Sequence, residues 1–276
     1  MTHARLDPGQ SRSSPCRRHA ALGALVPLAL ALLLGDTADA ASETVDLELV
    51  LAADGSGSID PEELKLQREG YASALTSPEV MSAIASNLHG AIAVLYLEWG
   101  APSSQDIVVD WMTIRTAADA DAFADRLRAA PRRSYGYNSI SNAILFADRL
   151  MRENAAEGLK RVIDVSGDGP NIGGAPIREA RDQVVAGGTV INALSVRRAG
   201  SQTAGSMAWT GQPLEDYYRD NVIGGPGAFV EIADETRRFT DAVRSKLVQE
   251  IAGIDAARRI FAAAAPVSAS DEPAVP

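Results

Sequence analysis

The chain has 276 residues and a formal charge of −10 at pH 7, with 26 lysine and arginine residues against 36 aspartate and glutamate. An acidic chain without a basic block argues against nucleic acid and anionic membrane surfaces as partners, and Cys16 as the only cysteine excludes disulfides within the chain. Of the 3 histidines only His89 lies beyond His19, so Ser-His-Asp hydrolysis or a multi-histidine zinc site would rest on that one side chain.

Arg17 and Arg18 precede an apolar run from Ala20 to Leu34, and Ala38-Asp39-Ala40 is a small-residue cleavage site. This is the pattern of a secretory signal peptide over residues 1–40. The run is shorter than the ~20 residues of a membrane span, so cleavage and a periplasmic or secreted protein are expected. The remainder suits one large domain over 41–260 and a disordered Ala/Pro/Ser/Glu tail over 261–276.

Val45, Leu47 and Leu49 alternate with Asp46 and Glu48 before the continuous apolar run Val50 to Ala53. That pattern predicts a strand entering a sheet covered on both faces. Asp54-Gly55-Ser56-Gly57-Ser58 follows. Three oxygen side chains spaced two apart in a Gly-loosened loop can turn toward one point, and hard oxygens suit a Mg²⁺-like ion. The competing reading is a Gly/Ser turn with Asp54 as a local cap. Asp60-Pro61-Glu62-Glu63 then supplies an N-cap, a proline at the first helical position and an acid at the third. Leu64, Tyr71, Ala72 and Leu75 form the apolar face of that helix, and Ser77-Pro78-Glu79 opens a second.

Ala91 to Trp99 and Ile107 to Ile114 are the next strands, and the Gly100 to Asp106 link is too short for a parallel crossover, so they form a hairpin. Thr116 to Asp119 resembles a capping box, and a polar loop from Arg132 to Asn138 leads into a helix beginning near Ser139. The strand Arg161 to Val165 runs into Ser166-Gly167-Asp168-Gly169. Open α/β sheets bind ligands beyond the carboxyl ends of their strands, so Asp54 and Asp168 are expected to share a crevice. A helix over 176–185, a strand over 189–196 and a long loop follow, with Tyr217 and Tyr218 read as packing residues. Gly224-Gly225-Pro226-Gly227 lacks a following Gly-Lys-Ser/Thr and reads as a tight turn. Ala228 to Ile232 is the last strand, and Glu235 to Ile251 the closing helix. The fold expected is a doubly wound, mainly parallel six-stranded α/β sheet with one antiparallel edge strand and helices on both faces.

Asp54-x-Ser56-x-Ser58 after the first strand, a polar loop opening a middle helix and Asp168-Gly169 after the fourth strand resemble the von Willebrand factor type A domain, over about Val45 to Ala252. Gln67-Arg68-Glu69-Gly70-Tyr71, Val165-Ser166-Gly167-Asp168-Gly169-Pro170-Asn171 and the run from Tyr217 to Gly227 look like a bacterial exported subfamily of unassigned function. The resemblance implies a metal-ion-dependent adhesion site, or MIDAS, holding Mg²⁺ or Mn²⁺. In it Ser56 and Ser58 contact the ion, and Asp54 and Asp168 bind it directly or through water. The family's threonine at the loop-to-helix junction falls on Asn138 here, a departure, with Ser139 one residue away. Neutral hydroxyls leave such an ion under-neutralised, so the partner implied is a protein or peptide with an acidic side chain.

Two readings compete. One is a metal-assisted phosphohydrolase with Asp54 as nucleophile, although the usual second acid two residues on is Ser56 and Lys65 lies on the following helix. The other is a metal-free structural domain pairing through a sheet edge or through Trp209. A binding protein, not an enzyme, is the expectation.

Overall fold

A strand buried along its whole length sits in the middle of a sheet, and residues 47–54 do so. The structure, a computed structural model, describes residues 43–197, 211–234, 238–253, 259–261 and 263–264. The stretch read above as a signal peptide, Trp209, Glu235 and nearly all of the expected tail lie outside those residues.

In chain order the elements are β1 (Glu43–Val45), β2 (Leu47–Asp54), α1 (Pro61–Leu75), α2 (Pro78–Ala85), β3 (Ile92–Trp99), β4 (Gln105–Ile114), α3 (Ala117–Ala129), α4 (Ile140–Glu153), β5 (Ala156–Gly158), β6 (Arg161–Gly167), α5 (Ile177–Ala186), β7 (Val190–Val196), α6 (Leu214–Asn221), β8 (Val230–Ala233) and α7 (Phe239–Ala252). Six strands form one sheet in the order β4-β3-β2-β6-β7-β8. All neighbours are parallel except β3 and β4, the expected hairpin at the edge. Among the described residues no helix is long and apolar enough to cross a membrane.

Alternate residues of β2 feed two cores. Leu47, Leu49 and Leu51 pack with apolar residues of α1, α2, α3 and α7 on one face. Val50 and Ala52 pack with those of α4, α5 and α6 on the other. The helices start where capping chemistry places them: the Asp60 carboxylate accepts the N–H groups of Glu62 and Glu63 while Glu63 accepts that of Asp60, and Thr116 and Asp119 make the same reciprocal pair.

The entering strand differs from its expected form. It breaks at Asp46, whose carboxylate accepts the N–H groups of His89 (2.9 Å) and Ala91 (3.2 Å), and β1 pairs with β5 in a separate two-stranded sheet. Glu48 is buried as well, accepting from Asn154 Nδ2 (2.7 Å) and Gly158 N (2.8 Å). The alternation read as polar positions is therefore a pair of internal clasps. At the same end of the domain Asn87 Nδ2 donates to Ile251 O near the end of α7 (3.1 Å).

The face beneath α7 is not wholly apolar. Lys246 is fully buried, with Nζ 2.6 Å from Asp164 Oδ1 of β6 and a second ion pair to Glu250 one turn along α7. Asn192 Nδ2 donates to Glu250 Oε1 (2.8 Å). Burial, and then the charge of Glu250, push the Asp164 carboxyl up to about 7, against the opposing pull of Lys246.

Candidate metal centre

β2 and β6 are neighbours, with Ala53 opposite Ser166. From β2 the chain winds outward to β3 and β4, whereas from β6 it winds the other way to β7 and β8. The order reverses between β2 and β6, and a crevice opens there beyond the strand ends. Asp54 ends one of these strands and Asp168 follows the other, so topology alone brings the two carboxyls together.

The loop after β2 is drawn tight around Asp54. Asp54 Oδ1 accepts the Ser56 N–H (2.8 Å), and Ser56 Oγ lies 3.0 Å from Ser58 Oγ. Ser56 is buried and Ser58 exposed, so the pair spans from floor to rim. Gln67 on α1 donates from Nε2 to Asp54 O (2.9 Å). Arg132 holds the outside of the loop, donating to the carbonyls of Ile59 (2.7 Å), Ser56 (2.8 Å) and Gly55 (3.0 Å). Gly55 is required by a close approach: a Cβ there would lie 1.9 Å from Ser134 Oγ, whose hydroxyl donates to Gly55 O. Behind Ser134, Glu98 receives a two-pronged contact from Arg68, at 2.7 Å through Nε and 3.0 Å through Nη2.

Asp54 is fully buried, and its Oδ2 has no hydrogen-bond partner. Burial, and then the neighbouring Asp168 carboxylate, push its pKa up to about 7 against the hydrogen bond from Ser56. A buried carboxylate oxygen left without a donor is costly. A cation beside Asp54 and Asp168 offsets the cost of burying the Asp54 charge and neutralises the Asp168 repulsion, and the donor set, two carboxylates and two hydroxyls, suits a hard ion. Among the described residues no group of three or more His, Cys, Asp or Glu side chains is placed to hold a metal; any ion here depends on the hydroxyls.

Asn138 is nearly buried on the other side of the crevice, its amide nitrogen 2.7 Å from where a Cβ on Gly169 would stand. Its backbone carbonyl accepts the N–H groups of Ile172 (2.7 Å) and Gly173 (3.2 Å). Ser139 is engaged elsewhere: its hydroxyl lies 2.9 Å from Gly173 O and 3.1 Å from Asn142 Oδ1. The structure thus gathers Asp54, Ser56, Ser58 and Asp168 with Asn138 alongside, and gives the Ser139 hydroxyl to the turn at Gly173.

Sequence reasoning missed the supports. Tyr218, read as packing, is buried but also donates from its hydroxyl to Gly169 O (2.9 Å), and the Tyr217 hydroxyl accepts the Asn171 N–H (3.3 Å). The signal was present in the three runs quoted above, since Gln67, Asn171 and these tyrosines all brace the two acid-bearing loops.

Residues 44–255 match the model of a family described as a protein of unknown function, DUF1194. No curated protein matches the chain. Among solved structures, the pilus adhesin SpaC from Lactobacillus rhamnosus GG aligns with a TM-score of 0.51 and 15% identity over 79% of this chain and 31% of its own. The proximal thread matrix protein 1 of the mussel byssus gives 0.50 and 13%, over 76% and 48%. A von Willebrand factor type A protein from Catenulispora acidiphila gives 0.49 and 13%, over 76% and 42%. The chain spans less than half the length of each. At such identities the likeness is one of fold, and that fold is von Willebrand factor type A-like.

Proposed function

Since the chain belongs to the DUF1194 family and has a von Willebrand factor type A-like fold, we propose that it is an exported interaction domain that holds a divalent cation and, through it, an acidic side chain of a protein or peptide partner. The observation that carries this reading is the buried, partnerless Oδ2 of Asp54 beside Asp168 and two touching hydroxyls. Asp54, Ser56, Ser58 and Asp168 would hold the ion, with the Asn138 amide as the remaining donor. Mg²⁺ or Mn²⁺ supplies a Lewis-acidic point that an outside carboxylate can complete. The role is binding without turnover, in the periplasm or outside the cell.

Calorimetric titration of Mg²⁺ and Mn²⁺ into chelator-stripped protein tests it. One saturable site is expected, lost in both Asp54→Ala and Ser56→Ala; an unchanged isotherm in both variants would sink the reading. Because the ion must displace the proton on Asp54, affinity is expected to fall about tenfold per pH unit below about 7 for one proton released. Arg132→Ala frees three loop carbonyls without touching the ion, and should weaken metal binding about 10- to 100-fold, the usual effect of removing an outer support. Unaltered affinity in Arg132→Ala would mean that the loop holds its shape unaided.

A further inference from the structure

A cavity of about 150 Å³ opens beside the carboxylate pair. Asp54 and Asp168 stand on its wall, and its apolar lining comes from four separate elements: Ile59 after β2, Leu66 on α1, Val196 at the end of β7 and Phe239 at the start of α7. Leu66 is 69% exposed, a large apolar side chain on a helix turn whose neighbours are Lys65 and Gln67. Exposed apolar surface that borders a polar crevice marks a contact site better than scattered surface leucines do. A space of this volume is large enough for a benzene-sized group, and Glu63 and Gln67 also line it.

We propose that the ligand of this crevice is an acidic side chain flanked directly by a bulky apolar one, the carboxylate held at Asp54, Ser56, Ser58 and Asp168 and the apolar group seated among Ile59, Leu66, Val196 and Phe239. This rests on the metal reading above and deepens it. A carboxylate on a partly exposed ion discriminates little between acidic partners. An adjoining apolar cavity supplies the discrimination, because only a partner with the right neighbour to its acid fills both. Fully burying a Leu or Phe side chain corresponds to roughly 10- to 100-fold in affinity. Asp54 and Asp168 border both subsites, and one short ligand must reach both.

Acetate, pentanoate and 3-phenylpropanoate are suitable probes, being one carboxylate with arms of increasing apolar size. Each is titrated calorimetrically into the purified protein, first saturated with Mg²⁺ and then in EDTA, after Mg²⁺ binding alone has been measured. The expected result is affinity rising along the series, at least tenfold from acetate to 3-phenylpropanoate, in Mg²⁺ only. In Leu66→Ser that ratio should shrink to about twofold. Equal affinity for all three acids on protein that has bound Mg²⁺ overturns the apolar subsite and leaves the metal reading standing. Equal 3-phenylpropanoate binding in EDTA overturns the joint site, since the cavity would then act without the ion. Failure to bind Mg²⁺ at all removes the metal reading and this inference with it.

Discussion

Lys246→Ala is expected to cost about 3–5 kcal/mol of stability, the range for breaking a buried ion pair from one side, read as a large drop in the urea midpoint. Lys246 is the fully buried cation between Asp164 and Glu250, and removing it leaves two carboxylates facing each other under α7. The loss should also depend on pH. The Asp164 carboxyl already stands near 7 in the folded chain against an ordinary 3.8. Between those values the folded state holds a proton that the unfolded state has released, so stability falls as pH rises through that window. Without Lys246 the folded pKa rises further and the window extends upward. The variant's deficit is therefore expected to be smaller at pH 5 than at pH 8. Replacing all three together, as Lys246→Met with Asp164→Leu and Glu250→Leu, should recover most of the loss, because an apolar filling of similar volume is often as stable as a buried ion cluster. A deficit that stayed the same at both pH values would show that lost packing of the lysine stem, not the stranded acids, sets the cost.

Asp54→Asn should separate the metal from the fold. In EDTA the variant is expected to be the more stable protein, by on the order of 1–4 kcal/mol at pH 8, since it lacks the buried carboxyl whose pKa is pushed up to about 7. The sign follows from the same linkage: as pH rises from about 4 to 7 the wild-type chain loses stability through both Asp54 and Asp164, whereas the asparagine variant loses only the Asp164 part. With Mg²⁺ at about a hundredfold excess over its Kd the wild type should gain about 2.7 kcal/mol, and the variant nothing. Thermal unfolding of both proteins at pH 5 and 8, with and without Mg²⁺, reads all of this. A variant less stable than wild type in EDTA at pH 8 would mean that Asp54 is a structural anchor in its own right.

The parts of this molecule that were legible in the sequence are those whose causes lie close together in the chain. The Asp60-Pro61-Glu63 capping box, the short link between β3 and β4 and the two strand-end acids are each set by a few adjacent residues. The seat of Asp54 beside Asp168 is expected from the rule that open α/β sheets bind ligands beyond their strand ends, and the strand order places the two acids at the ends of neighbouring strands. What escaped are contacts between residues far apart. Lys246 gives no sign in the sequence of α7 that it is buried, yet its partner Asp164 lies across the face beneath that helix, on β6. Asp46 and Glu48 interrupt a strand expected to be covered on both faces, and nothing near them in the chain shows that the N–H groups of residues 89, 91 and 158 need them. Arg132 gives no sign in its loop that it grips three carbonyls over 70 residues away.

The clasp at Asp46 and the bond from Asn87 to Ile251 fix more than local geometry. β2 starts, and α7 finishes, at the pole of the domain opposite the crevice. Glu43 and Gly253 thus lie toward that far pole. If the protein binds as proposed, an attachment made at Glu43 or Gly253 leaves the Asp54 end facing away from it.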